Sequence, residues 1–162
     1  MDDPAATEAP ERDVAGVPFP PPLAFIAGLL IGLVLELIWP IEDPGTVVRI
    51  VVGIAGFALW LVLDGNAMAG FRRAGTSMIP FNPSTALVTS GAYRFTRNPM
   101  YLGMAAFYVG IAVAAGLIWA LFLLPLVVLA IDRLVIAREE PYLARKFGQP
   151  YTDYKSRVRR WI

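Results

Sequence analysis

Four apolar runs of about helix length dominate this chain and set the terms for any fold it adopts. Residues 23–39 are apolar apart from Glu36 and stop at Pro40. Residues 47–63 form a second run, extendable towards Phe71; residues 99–115 form a third and residues 117–136 a fourth. A helix needs about 17–25 such residues to cross the hydrocarbon of a bilayer, so each run reads as a transmembrane helix. The whole chain is 57% hydrophobic, whereas a soluble domain averages about 45–50%. The predicted fold class is therefore all-α: a polytopic membrane protein with about four transmembrane helices, forming one domain over residues 23–162. Residues 1–22 are acidic and then proline-rich, and read as a disordered tail with a stiff end. They lack the basic start and cleavage site of a signal peptide.

Local signals refine this plan. Asn98 and Pro99 make a helix start, with Asn as cap and Pro at the first helical position. Gly116 marks a short turn, so spans three and four should form an antiparallel hairpin. Pro125 predicts a kink in the fourth span. Gly28 and Gly32 give the first span a flat face, expected to pack within the molecule. Glu36 and Arg49 lie at matching depth and are expected to pair. Every lysine and arginine except Arg49 falls on one side of a four-helix arrangement, which by the positive-inside rule puts both termini in the cytoplasm.

Composition also excludes chemistries. The chain has no cysteine and no histidine, so disulfides, thiolate nucleophiles and Cys or His metal sites are out, and no metal is expected. With a net charge of +1, no nucleic-acid partner is expected. Carboxylates, arginine, lysine, tyrosine and backbone remain to do any chemistry.

These groups concentrate in two stretches. The first is residues 91–103, Gly-Ala-Tyr-Arg-Phe-Thr-Arg-Asn-Pro-Met-Tyr-Leu-Gly. Gly91 allows close backbone approach, Tyr101 and Tyr108 share one helix face, and Gly103 and Gly110 share another. The second begins at Arg138-Glu139-Glu140 and runs past Tyr151 and Tyr154 to Trp161. The adjacent carboxylates Glu139 and Glu140 repel each other and need cations. Arg94, Arg97, Arg133 and Arg138 are candidates, and so is a positively charged ligand. The pair is placed at a helix C-terminus, where the helix dipole disfavours it. Beyond Pro141, short helices carry an apolar-aromatic stripe (Tyr151, Tyr154, Val158, Trp161) among basic residues, suited to a surface anchor or a lid.

Together, in this order, the stretches resemble the isoprenylcysteine carboxyl methyltransferase and phospholipid methyltransferase superfamily. The pattern Arg-His-Pro-x-Tyr-x-Gly appears as Arg97, Asn98, Pro99, Tyr101 and Gly103, with Asn in the place of His. The later pattern Glu-Glu-x-x-Leu-x-x-x-Phe-Gly-x-x-Tyr-x-x-Tyr appears as Glu139, Glu140, Leu143, Phe147, Gly148, Tyr151 and Tyr154. The resemblance covers roughly residues 87–161. It implies S-adenosyl-L-methionine as cofactor and a lipophilic small molecule or lipid as methyl acceptor, at the cytoplasmic face. It further implies cofactor contacts from Gly91, Tyr93, Asn98, Pro99, Tyr101, Gly103, Glu139 and Glu140. Arg97, Tyr101 and Glu140 become candidate catalytic residues, and Arg94 and Arg133 candidates for orienting a charged acceptor. Asn98 can donate and accept hydrogen bonds but cannot act as a cation or base. Two other readings fit a hydrophobic chain of this kind: a membrane NADPH-dependent reductase of sterol or enone type, and a non-catalytic membrane scaffold. Donor binding separates the three.

Overall fold

The computed structural model describes residues 13–42 and 44–162, so most of the expected N-terminal tail, residues 1–12, lies outside the described residues. Six α-helices account for the fold: α1 Pro22–Ile38, α2 Thr46–Ala74, α3 Pro99–Ala115, α4 Ile118–Ala130, α5 Ala137–Phe147 and α6 Gln149–Arg157. A π-helical turn, Ile131–Ile136, joins α4 to α5 without a break. No strand occurs among the described residues. The chain is an all-α membrane protein. α2, at 29 residues, and the continuous helix Ile118–Phe147, at 30, are long and apolar enough to cross a bilayer, and α1 and α3 are shorter apolar helices. Large apolar side chains such as Leu30, Leu37, Val47, Ile54, Val62 and Phe122 face outward, as lipid-covered surfaces do.

α3 occupies the centre because its two faces differ in size. Its glycine face meets α2. A Cβ at Gly56 would come within 2.6 Å of Ala106 O, and Gly53 and Gly56 lie against Gly110. The opposite face carries Tyr101 and Tyr108, both buried, and Tyr108 Oη donates to Ala120 O at 2.7 Å. α1 packs on α4. There a Cβ at Gly32 would sit 2.6 Å from that of Ala120, so the Gly28/Gly32 face is used within the molecule, as expected. Without a hydrophobic drive between helices in lipid, such close backbone approach is a main source of packing energy. α3 and α4 follow each other through a tight turn closed by Gly116, at φ 73°, but each packs chiefly on another partner, α3 on α2 and α4 on α1.

Several expectations need correction. α2 takes the longer of its expected bounds, past residue 63 towards Phe71. It runs on through Asp64, Gly65 and Asn66 to Ala74, because α3's small residues give this polar patch a protein surface instead of lipid. The fourth helix runs on through Pro125, and a π turn that the sequence did not suggest follows at Ile131–Ile136. Glu139 and Glu140 do not end a helix. They open α5, which passes through Pro141 to Phe147, so the dipole argument made for them does not hold. Glu36 and Arg49 do not pair. Glu36 accepts from Ile41 N and Trp119 N at 2.6 and 3.2 Å, while Arg49 Nε donates to Ala114 O at 2.9 Å. Each of these contacts satisfies backbone left open at a helix end. Finally, residues 13–21 pack on the bundle. Val17 is buried, Arg138 donates to Gly16 O, and Lys146 pairs with Asp13.

Candidate functional site

A cavity of about 420 Å³ opens at the end of the bundle where α2 finishes and α3 starts. Its floor is the start of α3 (Asn98, Met100, Tyr101, Met104), and one wall is α5 with Glu139, Glu140 and Leu143. Tyr93 and, from α6, Tyr151 and Tyr154 close another side. The roof comes from residues 77–88 and from Pro20–Pro22. One hydroxyl ties the 77–88 roof to the segment that precedes Pro20: Tyr142 Oη accepts from Ser84 N at 2.9 Å and donates to Asp13 O at 3.2 Å. The two stretches singled out in the sequence thus meet on one cavity.

The adjacent carboxylates have unlike surroundings. Glu140 receives Arg97 Nη2 at 2.7 Å, Lys155 Nζ at 2.9 Å, and both Nε and Nη2 of Arg160 at 2.9 Å. Its side chain is 8% exposed and that of Arg97 10%, so the cluster is largely out of water. Glu139 has no cation within ion-pair distance among the described residues. Tyr101 Oη donates to its Oε1 at 2.7 Å. Of the four arginines proposed as counter-ions, only Arg97 serves. Helical geometry explains the split, because successive side chains point about 100° apart. Glu140 faces the C-terminal segment and Glu139 faces α3.

Residues 96–98 act as a clamp for that segment. Arg97 N donates to Arg159 O, and its Nη1 donates to Lys155 O and Val158 O. Thr96 Oγ1 and Asn98 Nδ2 both donate to Arg160 O, at 3.0 and 2.9 Å. Asn98 therefore works as a neutral donor, a task that needs neither positive charge nor basicity. Tyr154 Oη donates to Tyr93 O at 2.8 Å. Burial pushes the Tyr93 and Tyr154 hydroxyls above their usual range and that of Tyr151 to about 12. At neutral pH these groups are hydrogen-bond donors and not bases.

Tyr93, Arg97, Asn98, Tyr101, Glu139 and Glu140 line the cavity as the sequence suggested; Gly91, Pro99, Gly103, Arg94 and Arg133 do not. A side chain at Gly91 would collide with Asn66 Oδ1, which accepts from Ala92 N at 2.8 Å, and one at Gly103 would collide with the Asp64 carboxylate. Both glycines make room for polar groups of α2. Pro99 is buried in the helix start. Arg94 is exposed, and Arg133, 74% exposed, reaches only Asp132. As bases, Glu140 and Tyr101 are both engaged, one by cations and the other by donating to Glu139. Arg97 is engaged through both Nη atoms, with Lys155 O, Val158 O and Glu140.

Asp132 was missed. From the π turn it accepts both bonds of Arg160 Nη1 at 3.1 Å and one from Trp161 Nε1 at 3.1 Å. The one available signal was an aspartate inside an otherwise apolar helix. Asp64 and Asn66 were missed for the same reason, since their partners lie far along the chain.

Comparison with known proteins gives three findings. The sequence model of a family described as phospholipid methyltransferase matches residues 48–150. An uncharacterized protein of Haemophilus influenzae is 54% identical over 35 residues, covering 22% of this chain and 56% of that protein. A protein-S-isoprenylcysteine O-methyltransferase of Schizosaccharomyces pombe is 32% identical over 77 residues, covering 48% of this chain and 33% of that protein. The chain thus spans about half and a third of the lengths of these curated relatives. No solved structure matches.

Proposed function

The chain belongs to the phospholipid methyltransferase family, and from that premise we propose that it transfers a methyl group from S-adenosyl-L-methionine to a lipophilic acceptor at the cytoplasmic membrane face. The observation that carries this reading is Glu139, a carboxylate on the cavity wall with no cationic partner among the described residues. A half-buried charge without a counter-ion is costly, and a ligand bearing positive charge removes the cost. The cavity volume, about 420 Å³, falls within the ~300–1,000 Å³ usual for small-molecule sites. The residues present therefore suit such a donor.

When bound, S-adenosylmethionine supplies an electrophilic methyl group on a positively charged sulfur. Glu139 holds the positive end of the donor, and Tyr101 fixes the carboxylate's orientation through its hydroxyl. Tyr93, Asn98 and Tyr151 complete the polar side. Arg97 and Glu140 lock α6 and the C-terminal segment against the cavity. The apolar roof and floor exclude water and receive the acceptor's tail. Orientation of two reactants can supply about 7–11 kcal/mol of barrier lowering, so no enzyme nucleophile is needed. Among the described residues, every lysine and arginine but Arg49 lies in the segments 72–97 and 133–160, which supports a cytoplasmic site.

Calorimetry of the detergent-purified protein tests the proposal. Saturable S-adenosylmethionine binding that falls at least tenfold in Glu139→Gln supports it. Binding of NADPH without S-adenosylmethionine would turn the reading to a reductase, and binding of neither would leave a scaffold.

A further inference from the structure

Two pieces of irregular chain cover the cavity. The strap 13–21 leads into α1 and reaches the cavity with Ala15, Pro20 and Pro21, and the segment 77–88 follows α2 and reaches it with Met78, Phe81 and Leu87. Neither piece has a helix or sheet ladder to hold its backbone, so groups from elsewhere must fasten it. For the strap, α5 supplies them. Arg138, Tyr142 and Lys146 follow at intervals of four residues and share one helix face. Arg138 Nη1 donates to Gly16 O at 2.9 Å, Tyr142 Oη donates to Asp13 O at 3.2 Å, and Lys146 pairs with Asp13. These fasteners flank Ala15. Glu139, Glu140 and Leu143 of the same helix form the cavity wall, so the helix that builds the site also holds its cover.

Tyr142 differs from its two neighbours on that face, because its hydroxyl also accepts from Ser84 N at 2.9 Å. Among the described residues, the other hydrogen bonds of 77–88 are local: Asn82 N to Ile79 O, Ile79 N and Asn82 Nδ2 to Ser77 Oγ, and Thr85 to Thr76 Oγ1 and Gly75 O. The far end of this segment is packed, with Val88 buried beside Gly70. Its middle is tied across the cavity through Ser84. A hydroxyl has one proton and two lone pairs, so a single group can hold both pieces at once. We infer that Tyr142 is the latch of a two-part lid, its hydroxyl keeping the strap 13–21 and the segment 77–88 closed over the cavity together. In the proposed methyltransferase, the closed lid keeps water from the reacting groups and its opening sets the exchange of spent donor for fresh. That consequence rests on the methyltransferase reading; the latch itself does not.

Tyr142→Phe keeps the buried ring and removes both bonds. At about threefold per hydrogen bond, the open fraction should rise about tenfold. Because the chain has no cysteine, Met104→Cys on the cavity floor reports opening through its rate of reaction with a charged methanethiosulfonate. The full chain is used in detergent with no donor added, so failure here and failure of S-adenosylmethionine binding are read separately. Tyr142→Phe should speed the reaction of Met104→Cys about tenfold and leave that of the exposed Ser156→Cys unchanged. Hydrogen exchange should quicken in 13–19 and in 77–88 alike. Lys146→Ala, which removes only the pair with Asp13, should quicken exchange in 13–19 alone. Ser84→Pro removes the roof's N–H from the other side, so it should speed the reaction of Met104→Cys while exchange in 13–19 holds. An unchanged rate in both Tyr142→Phe and Ser84→Pro would overturn the inference. So would quickened exchange in just one piece of Tyr142→Phe, or a segment 77–88 loosened as much by Lys146→Ala as by Tyr142→Phe.

Discussion

At the residue scale, exchange of a single oxygen for nitrogen separates two roles. Glu140→Gln leaves Arg97, Lys155 and Arg160 around a neutral group. Breaking a buried pair costs about 3–5 kcal/mol, and the partial exposure of Lys155 and Arg160 lowers this to about 2–3 kcal/mol here. Thermal denaturation in detergent should show the loss. Glu139→Gln removes no ion pair, so it should change stability by less than about 1 kcal/mol while weakening donor binding. A large stability loss in Glu139→Gln, or none in Glu140→Gln, would reverse the assignment. Gly103→Ala forces a methyl group onto the Asp64 carboxylate, with an expected cost of about 1–3 kcal/mol for overpacking. Combining it with Asp64→Ala should recover much of that loss, and a double-mutant cycle reads the coupling.

Among the elements, the π turn at Ile131–Ile136 and the C-terminal segment form one unit, since Asp132 holds both Arg160 and Trp161. Asp132→Asn removes the charge and keeps the shape. Hydrogen exchange at residues 158–162 should then quicken, and the donor KM should rise several-fold with kcat little changed. Unchanged exchange would mean that residues 96–98 hold the segment alone. The elements were legible in the sequence where local rules decide: the Asn98-Pro99 helix start, the Gly116 turn and the apolar runs. They were illegible where distant groups decide. Nothing near residue 64 announces that α3's glycines will shelter it, so the end of α2 was left open between residue 63 and Phe71. Nothing near Pro141 shows that the neighbouring Tyr142 hydroxyl will bond both Ser84 and Asp13. In the same way the two stretches were found, but the split between Glu139 and Glu140 depends on Lys155 and Arg160 folding back.

For the whole molecule, the cavity end and the Glu36–Trp119 end are separated by the apolar belt. The chain has no cysteine, so single-cysteine variants report sidedness cleanly. In oriented vesicles, Ala74→Cys and Ser156→Cys should react with an impermeant maleimide only from the cytoplasmic side, and Val47→Cys only from the other. Labelling of Ser156→Cys and Val47→Cys from one side would exclude the proposed topology. α1 carries a further consequence. Its 17 residues span about 25 Å at 1.5 Å per residue, against about 30 Å of hydrocarbon. Its outer face, Leu23 to Ile38, is apolar and exposed, so the bilayer must thin beside it. That hydrophobic mismatch draws the headgroup plane inward next to Pro20–Pro22, at the rim of the cavity. The short helix thereby brings the headgroup plane nearer the cavity mouth, where the proposed acceptor would enter.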